Sequence, residues 1–477
     1  MTAPPPASLF WHDYETWGAD PRRDRPAQFA GVRTDLALKE IGRPLVAYCS
    51  PADDVLPSPE ACLITGLTPQ RARRDGSNEV EFFAAVHEEL ARPGTCALGY
   101  NTLRFDDEVT RHGLWRNFFD PYAREWQGGN SRWDLIDVVR LTHALRPEGI
   151  EWPVREDGAT SFRLEHLTAA NGIAHAGAHD ALVDVRATIA LARLVRSRQP
   201  KLYEYAFAHR DKGSAAALLD LRNRPVVLHV SQRYPAQLGC IAPVMALARH
   251  PSNGNGVIVC DLRADPSPLL ALGVTEIRRL VYARPEELGE GEARIPLKVV
   301  HLNKCPVLAP LATLTDAAAE RWVIDRAAVE AHRGALLAAA DLPAKLAQVF
   351  GENPYGPSDV DVALYDGFIP DEDRRRCEQV RHTPPERLAS LGARFSDPRL
   401  AELFFRYRAR NWPETLSREE RARWDATRRA RFVDEKSGRT LAQYRKAIAQ
   451  RAIDPTLTPA QRAVLSELAD WPAEIDL

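Results

Sequence analysis

The stretch SLFWHDYETW, at residues 8–17, decides the fold class of this sequence. Its aromatic-rich alternation predicts a β-strand. Successive strand side chains point to opposite faces, so Asp13 and Glu15 project from the same face. Two neighbouring carboxylates need cations between them, and hard cations such as Mg²⁺ prefer oxygen ligands. The same pair is also typical of an ordinary acidic strand end, so a metal site depends on further motifs.

A second acidic position follows TCALGYN, residues 95–101, which we expect to be a short buried strand. A helix is predicted near residues 105–117, and Asp106 stands at its start. This carboxylate can join a metal site, but an aspartate near a helix N-terminus is also a common cap or dipole partner.

The third acidic position lies in HDALVD, residues 179–184, which opens the strongest helical pattern of the first half. Asp184 falls in the first or second turn of that helix and can project back toward the strands. His179 precedes the helix body. A lone histidine is more often an ordinary surface or core residue, but an imidazole that titrates near 6.5 can accept a proton from water at neutral pH.

The pattern of elements predicts a multi-domain α/β protein in three parts. Residues 8–195 alternate predicted strands and helices, with Thr68 and Asn78 as helix caps. Residues 200–350 contain four β-rich segments, PVVLHVS, NGVIVCDL, RRLVYARP and IPLKVVHLNKCPVL, which predict a small barrel or sheet, followed by a helical stretch at 315–350. GENPYGPSD, residues 351–359, is typical of a linker, and residues 354–477 form a helical third domain.

Composition excludes several classes of protein. The chain has 477 residues and a formal net charge of −2, which argues against a histone-like polybasic binder. Local charge is uneven, because residues 371–450 hold 20 Lys and Arg against 13 Asp and Glu, a surplus of seven.

The seven cysteines are widely spaced, without a C-x-x-C pair, which argues against a disulfide framework or a zinc site and favours a cytoplasmic protein. No apolar run approaches the roughly 20 residues of a membrane span, and the first residues, MTAPPPASLF, do not resemble a signal peptide.

The three motifs match, in order and spacing, those of the DEDD-type nucleases in their histidine-containing form. They are D-x-E at Asp13 and Glu15, N-x-x-x-F-D ending at Asp106, and H-x-x-x-x-D from His179 to Asp184. A closer resemblance, to the bacterial exodeoxyribonuclease I family, spans nearly the whole chain. It is carried by HDYETWG, DRPAQF, LITGLTPQ, GYNTLRFDDEVTR, NSRWDLIDV, LRPEGIEWP, SFRLEHLTAANGI, AHDALVDV, LKVVHLNKCPVLA and LFFRYRARNWPETL.

The resemblance implies a ribonuclease-H-like exonuclease domain, an SH3-like barrel domain and a helical C-terminal domain. It implies processive 3′→5′ degradation of single-stranded DNA to 5′-mononucleotides with two Mg²⁺ ions, or Mn²⁺, in DNA repair and recombination. Two such ions can bind the attacking and the leaving oxygen of a phosphodiester. The implied direct metal ligands are Asp13, Glu15 and Asp184, with Asp106 as the fourth carboxylate and His179 as the general base.

The resemblance also implies contacts outside the metal site. Arg163 matches an arginine that touches the substrate, as Glu15 does. Arg146 and Arg224 match basic positions that dock the acidic C-terminal tail of single-stranded DNA-binding protein, which is apt chemistry for an arginine. The family expectation is a monomer.

Residues 111–133 interleave arginines with aromatic side chains, a pattern typical of single-strand binding. Arg111, Tyr122, Arg124 and Trp126 are our candidates for strand contacts. Trp115, Phe118 and Phe119 are better explained as core residues on one helix face. The basic run LFFRYRARNW, residues 403–412, either lines the strand or is a solvated helix face, and the sequence favours neither.

Two other functions compete with the DNA exonuclease. A 3′→5′ exoribonuclease of the same fold would carry the same motifs, because a contact with the 2′-hydroxyl is not visible in a sequence. Such an enzyme would need only about the first 190 residues. A non-catalytic scaffold is disfavoured because all five motif positions are filled.

Overall fold

Ten strands and twenty helices make up the part of the chain that the computed structural model describes, residues 6–177, 179–351, 356, 358–392 and 394–477. The strands are β1 Ser8–Thr16, β2 Pro26–Thr34, β3 Leu45–Tyr48, β4 Thr95–Leu98, β5 Ser131–Arg132, β6 Val226–Val230, β7 Ile241–Arg249, β8 Gly256–Asp261, β9 Leu297–His301 and β10 Leu308–Pro310.

The first ten helices are α1 Pro59–Thr65, α2 Pro69–Asp75, α3 Glu79–Leu90, α4 Asp106–Arg116, α5 Leu135–Leu145, α6 Leu164–Ala170, α7 Ala181–Arg198, α8 Pro200–Ala208, α9 Lys212–Leu218 and α10 Ser267–Ala271. The second ten are α11 Val274–Tyr282, α12 Asp316–Arg321, α13 Arg326–Ala338, α14 Leu342–Val349, α15 Asp371–His382, α16 Pro385–Leu391, α17 Pro398–Asn411, α18 Arg418–Arg431, α19 Leu441–Ala452 and α20 Pro459–Glu474.

Strand β1 is the centre of a five-stranded sheet with the order β3-β2-β1-β4-β5. It pairs antiparallel with β2, so that Glu15 lies opposite Gln28, and parallel with β4. Most of β1 is buried, with Phe10, Trp11 and Tyr14 in the core. The central strand of the sheet therefore carries the first acidic motif in a fixed register.

A second sheet is antiparallel throughout, with the order β10-β6-β7-β8-β9. It confirms a β-rich middle region, but two details of the prediction were wrong. The first five residues of RRLVYARP lie in helix α11, whose buried residues Ile277, Leu280 and Val281 follow helical spacing. The long strand β7 was missed because IAPVMALAR is buried on both faces and so shows no alternation.

Contacts divide the chain into two compact units. We call the one formed by Pro6–Ser131, His175–Arg186 and Gly356–Leu477 the nuclease unit, because it holds the five residues of the predicted nuclease motifs. The other, formed by Arg132–Ala174 and the described part of Ala187–Tyr355, is the middle unit. The predicted boundaries at 8–195, 200–350 and 354–477 stay a prediction. Most of the predicted linker, GENPYGPSD, lies outside the described residues.

Within the nuclease unit, the C-terminal helices pack against residues that follow strands β1 and β3 and against helix α1. One core cluster joins Trp17, Val55 and Cys62 to Tyr444 of α19 and Trp471 of α20. The indole nitrogen of Trp471 also donates to the Val55 carbonyl at 2.9 Å. The helical character predicted for residues 360–477 is confirmed.

The basic run at residues 403–412 has neither of the two roles that we considered. Arg406, Arg408 and Arg410 of α17 are buried, at 8%, 4% and 8% exposed. Arg410 donates to Asp54 at 2.7 Å and to Asp361 at 2.6 Å. These arginines form part of the interior of the nuclease unit, because carboxylates such as Asp361 and Glu420 neutralise them.

Among the described residues, none of the helices combines the length and the apolar character that crossing a bilayer requires.

Candidate active site

The first two carboxylates lie near the C-terminal end of β1, where both side chains are partly buried. Alternation along the strand puts Asp13 and Glu15 on one face, as the sequence predicted. A β-bulge follows directly, between Glu15 and Thr16, and ends the regular pairing with β2. The strand therefore presents two carboxylates side by side where its ladder becomes irregular.

Asp106 is fixed against β1 by a backbone hydrogen bond. It is the first residue of α4 and only 3% exposed, and its Oδ1 accepts from the Tyr14 amide at 3.0 Å. The Tyr14 hydroxyl lies 3.0 Å from the Thr110 hydroxyl, one turn further along α4. These contacts hold the start of α4 beside the residue that separates Asp13 from Glu15.

Helix α7 brings in the third motif. One ligand atom each from Glu15, His179 and Asp184 lie within 4.8 Å of one another. His179 has φ +70°, in the left-handed region that non-glycine residues adopt uncommonly. Such conformations occur more often at functional sites, and the closeness of Glu15 and Asp184 is what makes this histidine a candidate.

The carboxylates of this cluster repel one another. Burial raises the pKa of Asp13 well above its usual range, and repulsion from Asp106 and Asp184 raises it further. Burial also raises the pKa of Glu15, to about 9, together with repulsion from Asp13, Asp184 and Asp180. Divalent cations would relieve this repulsion, so the donor set of carboxylates and one imidazole fits hard metal ions.

Two residues that sequence reasoning missed support the third motif. Gln28 of β2, 1% exposed, donates from Nε2 to Asp180 at 3.3 Å and accepts from the Ala181 amide at 3.3 Å. His175 lies with Nε2 2.6 Å from Asp184 Oδ1. The spacing of two histidines in HAGAH was the available signal for His175, whereas nothing local marked Gln28.

Two of the four proposed strand contacts have other partners. Arg111 is 3% exposed and holds Glu125 through two hydrogen bonds of 2.7 and 3.0 Å. Arg124 is 2% exposed and donates to Asp107 at 2.7 Å. We therefore revise both arginines to structural residues, because neither guanidinium faces the solvent from which a strand would approach.

The aromatic candidates divide as the sequence indicated. Tyr122 and Trp126 are 36% and 65% exposed, so both rings can meet a ligand. Trp115 and Phe118 are buried in a core cluster with Tyr407 of α17, and Phe119 packs beside another cluster. The preference for a core role at these three positions is confirmed.

The remaining candidates belong to the middle unit. Arg163 caps α6 with an exposed side chain and pairs with Glu165 at 2.5 Å. Arg146 ends α5 and donates to the Thr313 carbonyl at 3.3 Å. Arg224 has φ +46° in the turn before β6. The binding roles of Arg163, Arg146 and Arg224 stay predictions.

A cavity of about 660 Å³ lies in the nuclease unit apart from the five motif residues. Six basic and five acidic side chains line it, so its charge is nearly balanced. The motif cluster, with its surplus of carboxylates, is the better candidate for catalysis.

The fold and the carboxylate cluster define a class, the metal-dependent exonucleases. A family model described as Exonuclease matches residues 10–192. Models described as Exonuclease I SH3-like domain and Exonuclease I C-terminal domain match residues 210–352 and 358–475.

Individual proteins narrow the class. Exodeoxyribonuclease I of Escherichia coli K12 is 50% identical over 431 residues, 90% of this chain and 90% of that protein. Two solved structures have TM-scores of 0.94. A moderately thermophilic exonuclease I from Methylocaldum szegediense is 53% identical, covering 98% of this chain and 99% of that chain. Escherichia coli exonuclease I with a dA16 oligonucleotide is 47% identical, covering 98% and 100%. The chain belongs to the exodeoxyribonuclease I family.

Two further solved structures are described by what they contain. One is a zinc-bound complex of Escherichia coli exonuclease I with single-stranded DNA, at 46% identity and TM-score 0.93, covering 99% of this chain and 100% of that chain. The other is described as a complex of SSB and exonuclease I with an inhibitor, at 45% identity and TM-score 0.91, covering 98% and 100%.

Proposed function

We propose that this protein degrades single-stranded DNA from its 3′ end, processively, and releases 5′-mononucleotides. One observation carries the proposal, the cluster of Glu15, His179 and Asp184 within 4.8 Å, set beside Asp13. Family membership supports both the direction of degradation and the substrate. A role in DNA repair and recombination is part of the proposal.

We assign the cofactor as two Mg²⁺ ions, with Mn²⁺ as a possible substitute. Asp13, Glu15 and Asp184 would hold them directly, with Asp106 as the fourth carboxylate, because oxygen donors suit these cations. When bound, such ions activate water and stabilise the leaving oxygen of a phosphodiester. A related structure is described as zinc-bound, which supports metal binding in this family.

His179 is assigned as the general base. Its position two residues before the start of α7 puts the imidazole in the group with Glu15 and Asp184, where it can take a proton from the attacking water. The buried Tyr14 amide holds Asp106 in place during this step through its 3.0 Å hydrogen bond. Positioned proton transfer of this kind contributes roughly 10²–10⁴-fold to a rate.

Strand binding is assigned to three exposed side chains. The rings of Tyr122 and Trp126 can stack on bases, which holds a strand without reading its sequence. Arg163, together with Glu15, is assigned a contact with the substrate, supported by an exposed guanidinium. We leave Arg111 and Arg124 out of this set because both are buried in ion pairs.

We also propose that the protein binds the acidic C-terminal tail of single-stranded DNA-binding protein through Arg146 and Arg224, as a monomer. The chemistry of arginine supports binding of the acidic tail, since a guanidinium binds carboxylates through paired hydrogen bonds. A fluorescent acidic peptide should bind less tightly to Arg146→Ala than to the wild type. The exposed Arg155 of the same unit provides the control, Arg155→Ala. Equal loss in both variants would contradict a specific site.

We place this activity in the cytoplasm. All seven cysteines are described, and none is joined to another in a disulfide, which is typical of a reducing compartment.

The substrate is tested by digesting single-stranded DNA, duplex DNA and RNA of one sequence, with Mg²⁺ or with EDTA. We expect rapid degradation of single-stranded DNA in Mg²⁺ and none in EDTA. An equal rate on RNA would favour the exoribonuclease alternative, which predicts that the 2′-hydroxyl is tolerated. Cleavage in EDTA would contradict the metal assignment.

A further inference from the structure

His175 is a buried histidine beside the motif cluster that the mechanism above does not use. Its side chain is 8% exposed, and that of Asp184 is 18% exposed. Its Nε2 donates to Asp184 Oδ1 at 2.6 Å, because a carboxylate can only accept. Asp184 in turn sits in the first turn of α7, with its amide bonded to the Asp180 carbonyl at 3.0 Å.

The position of Asp184 needs such a restraint. Its carboxylate faces two others, on Asp13 and Glu15, whose charges repel it. Without a restraint, the Asp184 side chain would lower its electrostatic energy by rotating away from these two carboxylates. A short hydrogen bond from a buried group opposes that rotation and leaves further lone pairs of the carboxylate for a cation.

We propose that His175 is a positioning residue of the metal site, which holds the Asp184 carboxylate in its metal-binding orientation through Nε2. The proposal rests on the proposed function, because it presumes that Asp184 binds metal. Carboxylates that bind metals are commonly oriented by such outer hydrogen bonds, and loss of one costs about 10–100-fold in metal affinity or activity. His175 itself touches neither metal nor substrate in this role.

Two substitutions separate the Nε2 contact from the rest of the ring. In His175→Gln the amide nitrogen can stand near Nε2 and still donate to Asp184. In His175→Asn the shorter amide corresponds to Nδ1 and does not reach. His87→Gln is the matched control, since His87 is partly buried in the same unit and packs on Phe119 at 5.1 Å between ring centroids.

The decisive measurement is Mn²⁺ affinity without DNA, from the free-ion signal in electron paramagnetic resonance. We expect His175→Asn to bind Mn²⁺ about 10–100-fold more weakly than the wild type. His175→Gln and His87→Gln should stay close to the wild type. In nuclease assays the Mg²⁺ concentration for half-maximal rate should rise for His175→Asn, while the rate at saturating Mg²⁺ largely recovers. A merely structural role would not produce this split.

Thermal unfolding of each variant shows whether it is folded, and His175→Leu, of similar volume, replaces the Asn variant if that one is not. Unchanged Mn²⁺ affinity in His175→Asn would overturn the proposal and leave the proposed function intact. An equal loss in the Gln and Asn variants would overturn the role of Nε2. A wild type that binds no Mn²⁺ would overturn the metal assignment, and this inference with it.

Discussion

Asp13, on the central strand, is a buried carboxylate that the charges of Asp106 and Asp184 repel. In the proposed site, a metal ion would exchange part of its water shell for these oxygens, which would make each ligand costly to lose. If the five motif residues act as one unit, as we propose, their contributions to the rate are not additive.

We predict that Asp13→Asn lowers turnover by roughly 10³-fold or more, because a neutral amide cannot hold the cations that activate water. Binding of single-stranded DNA should survive, since strand contacts lie elsewhere. Single-turnover kinetics and fluorescence anisotropy measure the two effects. Asp20→Asn, on an exposed loop, is the control. Normal turnover in Asp13→Asn would place this residue outside the metal site.

Arg124 and Trp126 lie two residues apart and should respond in opposite ways. Arg124→Met removes the buried ion pair between Arg124 and Asp107, and breaking such a pair costs about 3–5 kcal/mol of unfolding free energy. Trp126→Ala should leave stability nearly unchanged but weaken strand binding by about 1–3 kcal/mol, the usual value of one stacked base. Urea unfolding and anisotropy test both. A stable Arg124→Met variant with impaired binding would restore Arg124 to the strand contacts.

At the scale of elements, the sequence predicted local features well. Thr68 and Asn78 cap α2 and α3 as expected, with side chains that accept from the Arg71 and Glu81 amides. The strand that carries Asp13 and Glu15 was also predicted, because alternation and a D-x-E pair are local signals.

The failures concern elements whose environment is not local. Strand β7 was missed because it is buried on both faces and so shows no alternation of polar and apolar residues. Helix α11 was assigned as a strand because it is short and rich in β-branched residues. The burial of Arg410 on α17 could not be predicted because its partners, Asp54 and Asp361, lie far away in the sequence. Gln28 could not be predicted for the same reason, since its contact with Asp180 exists only in the folded chain.

We predict that the protein loses folding stability in acid, because buried arginines of α17 pair with carboxylates that become protonated at low pH. Burial alone would raise the pKa of Asp54, but Arg410, Arg25 and Arg431 hold it well below the usual 3.8. Arg410 and its neighbours likewise lower the pKa of Asp361. As pH falls, Asp54 and Asp361 are therefore protonated in the unfolded chain before they are protonated in the folded chain. Their contribution to the free energy of unfolding is present above about pH 4 and is lost below it.

Urea unfolding between about pH 6 and pH 3 tests this dependence. Asp54→Asn should be less stable at neutral pH by about 3–5 kcal/mol and should lose less stability on acidification. Asp316→Asn, whose parent side chain is fully exposed, should behave as the wild type. An acid dependence in Asp54→Asn as steep as that of the wild type would contradict the assignment.

At the scale of the whole molecule, the metal site and folding are linked. Without metal the pKa of Glu15 is raised from 4.5 to about 9, chiefly by burial and then by Asp13 and Asp184. The folded chain therefore binds a proton that the unfolded chain has released, and stability falls as pH rises through that window. Cations that bind only the folded chain should restore it.

We predict that the metal-free protein melts at a lower temperature near pH 9 than near pH 7. Saturating Mg²⁺ should raise the melting temperature more at the higher pH, because protons compete with metal for these carboxylates. Glu15→Gln should reduce both effects, and calorimetry measures them. A Mg²⁺ effect that is equal at both pH values, or unchanged in Glu15→Gln, would contradict this linkage.

The central claim is that water attacks the last phosphodiester of a single strand at its 3′ end, with the five motif residues around the reaction. The most direct test is mass spectrometry of the first product from a thymidine oligonucleotide that ends in one 3′ cytidine, digested with Mg²⁺ in ¹⁸O-labelled water. The account predicts that deoxycytidine 5′-monophosphate is released first, with one ¹⁸O on its phosphate. Release of a thymidine nucleotide first, or of a 3′-phosphate, would contradict it.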